Sequence, residues 1–264
     1  MNDPFLKNKV ILVTGGAGSG IGHGLSVTLA DYGATVLIVE KDVEGMKKLV
    51  AELKGKGQKV DGFECDVSNG KQIEATVQAA LSRYGQIDGL VNSAGVGLIK
   101  PVHEVTDADY QRLVSIDFYG VFAFCRAVLP SMIQRKSGSI VNISSVNAAR
   151  TTLNYGLYAG VKAGVDGLTR GLATQYGGHG IRINSIQPGL VDGPQTRDLV
   201  AQFAPNVQAW MDDFTSNRQC LNRIIQPRDV GETVAFLLSD RAASITGASI
   251  PVDAGLLALI TGKN

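Results

Sequence analysis

Cysteine is scarce: the chain of 264 residues has 3, and Cys65, Cys125 and Cys220 are scattered and odd in number. That excludes a disulfide framework and fits reduced thiols in a cytoplasmic protein. His23, His103 and His179 are equally dispersed, none with a second soft ligand at motif spacing, so no metal site is expected. No stretch approaches about 18 consecutive apolar residues, and Met1 to Pro4 do not begin a cationic segment followed by an apolar run. The chain is therefore expected neither to span a membrane nor to be exported. An excess of one charge is also missing: the net charge is +1 and no basic run occurs, which removes the usual grounds for a nucleic-acid partner or an anionic membrane surface. What remains, 44% hydrophobic and 19% charged residues, suits one soluble domain over residues 1–264 with a large core.

Glycine is not scarce, and it punctuates an alternating pattern. Residues 9–14 form a short β-branched run that ends in glycines, 21–32 have helical spacing, and 34–40 form a second apolar run, together a βαβ unit. The alternation continues with helices over 43–54, 69–84 and 107–134 and strands over 60–64, 87–92 and 139–144. A long helix over 154–176 and a strand over 181–186 follow. Next comes a polar irregular stretch over 189–220, then a helix near 228–238 and a last strand near 249–252. Near-continuous apolar strands separated by helices predict an α/β fold: one doubly wound, Rossmann-type parallel sheet with helices on both faces. Ligands in such sheets sit at the carboxyl ends of the strands.

The helix over 154–176 carries two patterns. Tyr158 and Lys162 lie one turn apart on one face, where an ammonium favours the phenolate form and makes Tyr158 usable as a proton donor or acceptor. A surface lysine beside a packed tyrosine has the same spacing. Gly160, Gly164, Gly167 and Gly171 form a stripe on the opposite face; glycine inside a helix costs about 1 kcal/mol relative to alanine, so the stripe predicts a close approach by another piece of protein. At the first strand end, the glycine-rich turn from Gly15 to Gly22 predicts a backbone cradle for a pyrophosphate at a helix N-terminus. Glu40 closes the second strand, where an acid accepts hydrogen bonds from the adenosine ribose and repels a 2′-phosphate, which predicts NAD rather than NADP. A pairing of Glu40 with Lys41 is the competing reading, and Lys41 could soften the discrimination.

Taken in order, these pieces resemble the short-chain dehydrogenase/reductase family from Lys9 to about Gly255. They are the glycine turn, Glu40, Asp66-Val67, Asn92-Ser93-Ala94-Gly95, Ser144-Ser145, Tyr158 with Lys162, and Pro188-Gly189. The resemblance implies that Ser145 holds the substrate oxygen, Tyr158 passes the proton, and Lys162 assists Tyr158 and grips the nicotinamide ribose. It implies cofactor contacts from Gly16, Ser19, Gly20, Ile21, Glu40, Asp66, Val67, Asn92, Ala94 and Val191, a substrate lid over about 189–220, and a homotetramer. Ser145 as a turn cap and Asn92 as a loop stabiliser remain open beside these roles. Three departures stand out. Gly15 is followed by four residues before Gly20, so either the turn is one residue longer or Gly16 takes the first glycine's role. Ser93 replaces an asparagine. Asp117 occupies the position of the family's fourth catalytic residue, an Asn.

The expected activity is NAD-dependent interconversion of a secondary alcohol and its ketone, in the oxidative direction. An NADPH-dependent ketoacyl-type reductase and a non-catalytic dinucleotide-binding regulatory protein are the rivals. Asn147, Tyr155, Gln195, Phe203 and Trp210 are candidates for a substrate pocket.

Overall fold

Seven parallel strands form the sheet of the computed structural model, which describes residues 4–259, in the order β3-β2-β1-β4-β5-β6-β7. Met1 to Asp3, part of the segment read for an export signal, lie outside it. The strands are β1 Val10–Thr14, β2 Thr35–Glu40, β3 Val60–Glu64, β4 Gly89–Asn92, β5 Gly138–Ile143, β6 Ile181–Pro188 and β7 Ser249–Val252. The helices between them are α1 Ile21–Asp31, α2 Val43–Gly55, α3 Gly70–Tyr84, α4 Asp107–Val114, α5 Gly120–Arg135, α6 Gly156–Tyr176, α7 Pro194–Ala201, α8 Val207–Arg218 and α9 Pro227–Leu238.

The apolar strands read as continuous runs because both faces are covered. Along β1, Ile11 and Val13 pack with Leu25 of α1, Leu49 of α2 and Val234 of α9. Val10 and Leu12 point the other way, towards Ile73 of α3, Phe124 of α5 and Val165 of α6. A buried polar chain crosses the second layer: Asn92 donates to Asn142 Oδ1 at 2.8 Å, Asn142 donates to Thr169 Oγ1 at 2.9 Å, and Thr169 donates to the Val165 carbonyl at 2.8 Å. It ties β4, β5 and α6 together.

Two elements differ from the sequence expectation. The segment 189–220, expected to be irregular, holds α7 and α8. Pro194 opens α7 at its first turn and Asn206 caps α8 by accepting from the Ala209 N–H, but buried residues are sparse, with Val200 alone in α7 and Met211 and Thr215 in α8, so no apolar period marked them. The single helix expected over 107–134 is divided by a π-helical turn, Ser115–Tyr119, in which the Gly120 N–H reaches back to the Ser115 carbonyl. By length and composition, 107–135 is the one helical run among the described residues apolar enough to cross a membrane; half of its most apolar window is buried within the fold.

Candidate active site

β1 and β4 are neighbours although three helices separate them in the chain, which makes their carboxyl ends the switch point of the sheet. A cleft of about 680 Å³ opens there. Gly15 has φ +63°, and a Cβ on it would lie 2.8 Å from Ala94 Cα, so the turn after β1 and the loop after β4 meet at a distance only glycine allows. A Cβ on Gly22 would lie 1.9 Å from the Gly15 carbonyl oxygen, and this contact folds the turn back on the start of α1. Gly15, Gly18, Gly20 and Ile21 line the cleft. Gly16 instead is buried towards Ser26 and Ile38 and is not among the lining residues. Ser19 is exposed and also lies outside the lining.

The chemistry of this end suits the diphosphate of a dinucleotide. α2, α3, α4 and α8 each open on a side chain that satisfies their first N–H groups, whereas α1 opens on Gly20 with no side-chain cap and no acid in its first turn. The His23 N–H donates to the Gly18 carbonyl at 3.1 Å, and the N–H groups before it, with the positive dipole end, are left for an anion. At the end of β2, the Glu40 carboxylate lies in the cleft wall and accepts from the backbone N–H of Lys41 at 2.8 Å. The Lys41 ammonium itself turns to Asp66 Oδ2 at 2.6 Å, not to Glu40. Lys41, with Ser68, holds the Asp66 carboxyl down to about 2. Asp66, Val67, Ala94 and Val191 line the cleft as expected. Asn92 is not among the lining residues: it is 2% exposed, and its Nδ2 donates to Asn142 in the interlayer chain.

Ser145, Tyr158 and Lys162, from the end of β5 and from α6, share the far end of the same cleft. Tyr158 stacks edge-on with Tyr155, centroids 5.8 Å apart, and the Lys162 ammonium sits 5.7 Å from the centre of the Tyr158 ring. Lys162 is 5% exposed, donates to the Ile143 carbonyl at 3.1 Å and forms an ion pair with Asp117 Oδ2 at 3.0 Å. Burial pushes the Lys162 ammonium down, but the Asp117 carboxylate and Tyr158 more than offset it, and the net displacement is upward. Asp117 is fully buried on the π-helical turn, and its other oxygen accepts from the Val96 N–H at 2.8 Å. The turn's extra residue presents the carboxylate inward, a common use of π-helical insertions at functional sites. Ser145 also caps the short turn Val146–Ala148.

Of the proposed substrate-side residues, Gln195 lines the cleft, while Phe203 and Trp210 stack on each other at 5.4 Å and are not among the lining residues. Several lining residues were not read from the sequence, among them Arg112, Ile116 and Asp192. Arg112 and Ile116 share a face of the helix through the π-helical turn, and Asp192 forms a two-pronged ion pair with Arg197, at 2.7 and 3.0 Å, where α7 begins. The spacing of Arg112 and Ile116 with Asp117 was the available signal. Among the described residues no group of three or more His, Cys, Asp or Glu side chains is placed to hold a metal.

Known proteins are similar to this chain in sequence and in fold. A family model described as enoyl-(acyl carrier protein) reductase matches residues 16–257. The 3-oxoacyl-(acyl-carrier-protein) reductase FabG of Thermotoga maritima is 34% identical over 252 residues, 96% of this chain and 99% of that protein. Levodione reductase of Leifsonia aquatica is 36% identical over 252 residues, 94% of each chain. The crystal structure of an NAD⁺-bound xylitol dehydrogenase superposes with a TM-score of 0.88 at 28% identity, covering 95% of this chain and 99% of that one. With the match running almost from end to end, in sequence and in fold, the chain belongs to the short-chain dehydrogenase/reductase family of oxidoreductases.

Proposed function

We propose that this protein is an NAD-dependent dehydrogenase that interconverts a secondary alcohol and its ketone by hydride transfer, with Tyr158 as general acid and base. The observation that carries the reading is the convergence of Ser145, Tyr158 and Lys162 at one end of a cleft whose other end holds Glu40. A nicotinamide held in this cleft would supply the hydride acceptor for oxidation and the hydride donor for reduction. Ser145 donates a hydrogen bond to the substrate oxygen, Tyr158 exchanges the proton with that oxygen, and Lys162 keeps a positive charge beside the phenol. Asp117 and the Ile143 carbonyl hold Lys162 in place. Glu40 accepts from the ribose hydroxyls and repels a 2′-phosphate, and Lys41, engaged by Asp66, does not counter that repulsion.

Two measurements test the reading. The ratio of kcat/KM with NAD to that with NADP is expected to exceed one by an order of magnitude or more, and Glu40→Ser to narrow it; a wild-type preference for NADP overturns the charge argument. Tyr158→Phe is expected to abolish turnover while NAD still binds, measured through the fluorescence of the single tryptophan, Trp210. Retained turnover would put the chemistry elsewhere. The FabG relative supports a second reading, an NADPH-dependent ketoacyl reductase, and Glu40 weighs against it. Levodione and xylitol, named for two relatives, place cyclic ketones and polyols first in a substrate panel.

The residues of 189–220 serve in this proposal as the substrate lid, with Gln195 and Thr196 of α7 facing the cleft. The protein works in the cytoplasm as one catalytic domain, assembled into a homotetramer through the glycine stripe of α6.

A further inference from the structure

A serine hydroxyl has one proton to donate and two lone pairs with which to accept. Both acceptor positions of Ser145 Oγ are filled by one neighbour. The backbone N–H of Asn147 donates to it at 3.2 Å, and the side-chain Nδ2 of Asn147 donates to it at 3.3 Å. Asn147 is engaged from its other side, where the Thr151 hydroxyl donates to its Oδ1 at 3.2 Å. These contacts lie at the long end of the hydrogen-bond range, as catalytic contacts often do before a substrate tightens them. Ser145 is 7% exposed, and the surface it does show lines the cleft beside Tyr158. With its acceptor sites occupied, the hydroxyl has one capacity left, a proton, and the cleft is where that proton can point.

We propose that Asn147 is a positioning residue that commits the Ser145 proton to the cleft, making Ser145 a one-way donor to the substrate oxygen. The inference rests on the reading of Ser145 and Tyr158 given above and adds a division of labour to it. Ser145 cannot take the proton of a bound alcohol, because no lone pair is free to receive it; the proton passes to Tyr158 alone. The same fixed donor meets a carbonyl oxygen in reduction and a developing alkoxide in oxidation. It therefore strengthens as negative charge grows on that oxygen, which is the form of stabilisation that raises kcat more than it lowers KM.

The test is the rank order of three substitutions, assayed with NAD and whichever alcohol of a panel of polyols, sugars and cyclic alcohols the wild type turns over fastest. Asn147→Ala and Asn147→Leu keep the backbone donor and remove the side-chain donor; kcat is expected to fall up to about tenfold, the loss of one modest hydrogen bond, with KM little changed. Asn147→Asp, closest in shape to the wild type, is expected to be the worst. Its carboxylate accepts from the Ser145 hydroxyl and turns the proton away from substrate, so kcat falls about 100-fold or more, the scale of losing an oxyanion donor. In a Ser145→Ala background, Asn147→Asp is expected to have no further effect.

A purely structural role predicts the opposite order, with the isosteric Asp mildest. The proposal is overturned if Ala and Leu retain full kcat, if Asp is no worse than they are, or if the Asp effect persists without the Ser145 hydroxyl. Should Asp fail to fold, as judged by melting and NAD binding, the Ala and Leu values still decide it. Active Tyr158→Phe would instead sink the underlying catalytic reading. Inactive Tyr158→Phe with all three Asn147 variants fully active would sink only the positioning role.

Discussion

Asp117 places a carboxylate where the family resemblance calls for an amide, and its environment leaves that charge nowhere to go but Lys162. The groups facing it are the Lys162 ammonium from α6 and the Val96 N–H from the loop after β4. The Asp117 carboxylate helps to hold the Lys162 pKa above its ordinary value, so Asp117→Asn is expected to leave the enzyme active and to move the alkaline limit of alcohol oxidation, set by loss of the Lys162 charge, to lower pH. Each unit of movement corresponds to about 1.4 kcal/mol of interaction. A profile that stays in place would assign Asp117 to structure alone. Asp117→Ala is a different experiment, since it leaves a buried ammonium without its counter-charge. Breaking such a pair typically costs about 3–5 kcal/mol, and a melting temperature lower by several degrees is the expected reading.

At the scale of elements, α6 divides its two faces between chemistry and packing. Within one chain the glycine stripe is nearly bare: a Cβ on Gly160 or Gly171 would meet nothing within 4 Å, whereas one on Gly164 would lie 3.1 Å from the Phe118 ring. Tyr110, Val114 and Phe118 border the stripe with Leu157, giving an apolar groove of the kind that packs on another helix. Gly160→Leu is therefore the clean probe of assembly, expected to lower the mass found by sedimentation without loss of stability, while Gly164→Leu would confound assembly with strain against Phe118. Elements with a strong apolar period were legible from the sequence, α6 and the central strands among them. α7 and α8 were not, because they bury three residues between them and the rest of their surface carries no period. The π-helical turn was illegible for another reason: it changes the hydrogen-bond step without changing the composition.

Over the whole molecule, the sheet gathers residues from the ends of β1 to β6 into one cleft, and the order of motifs along the chain was enough to anticipate that gathering. What the order could not supply was register. Consecutive glycines look alike until backbone angles separate Gly15 from Gly16, and nothing in the order of motifs shows the Asn92 amide bonded to Asn142. The role of Asn147 depends on a single short turn that brings its amide back onto Ser145. On the side of α1 turned to α9, the two helices close one edge of the core through Gly24, where a Cβ would come within 2.4 Å of Pro227. Gly24→Ala is expected to cost about 1–3 kcal/mol as overpacking, read as a melting temperature lower by several degrees. The Asn92–Asn142–Thr169 chain has a further consequence. It works as an index pin between the sheet and α6: a slip of the helix by one residue would leave Asn142 facing a side chain with no matching oxygen, deep in a layer that water does not reach. Thr169 lies about two turns beyond Lys162, so the height at which the phenol and the ammonium stand over the strand ends is gauged from inside the molecule, before any cofactor arrives.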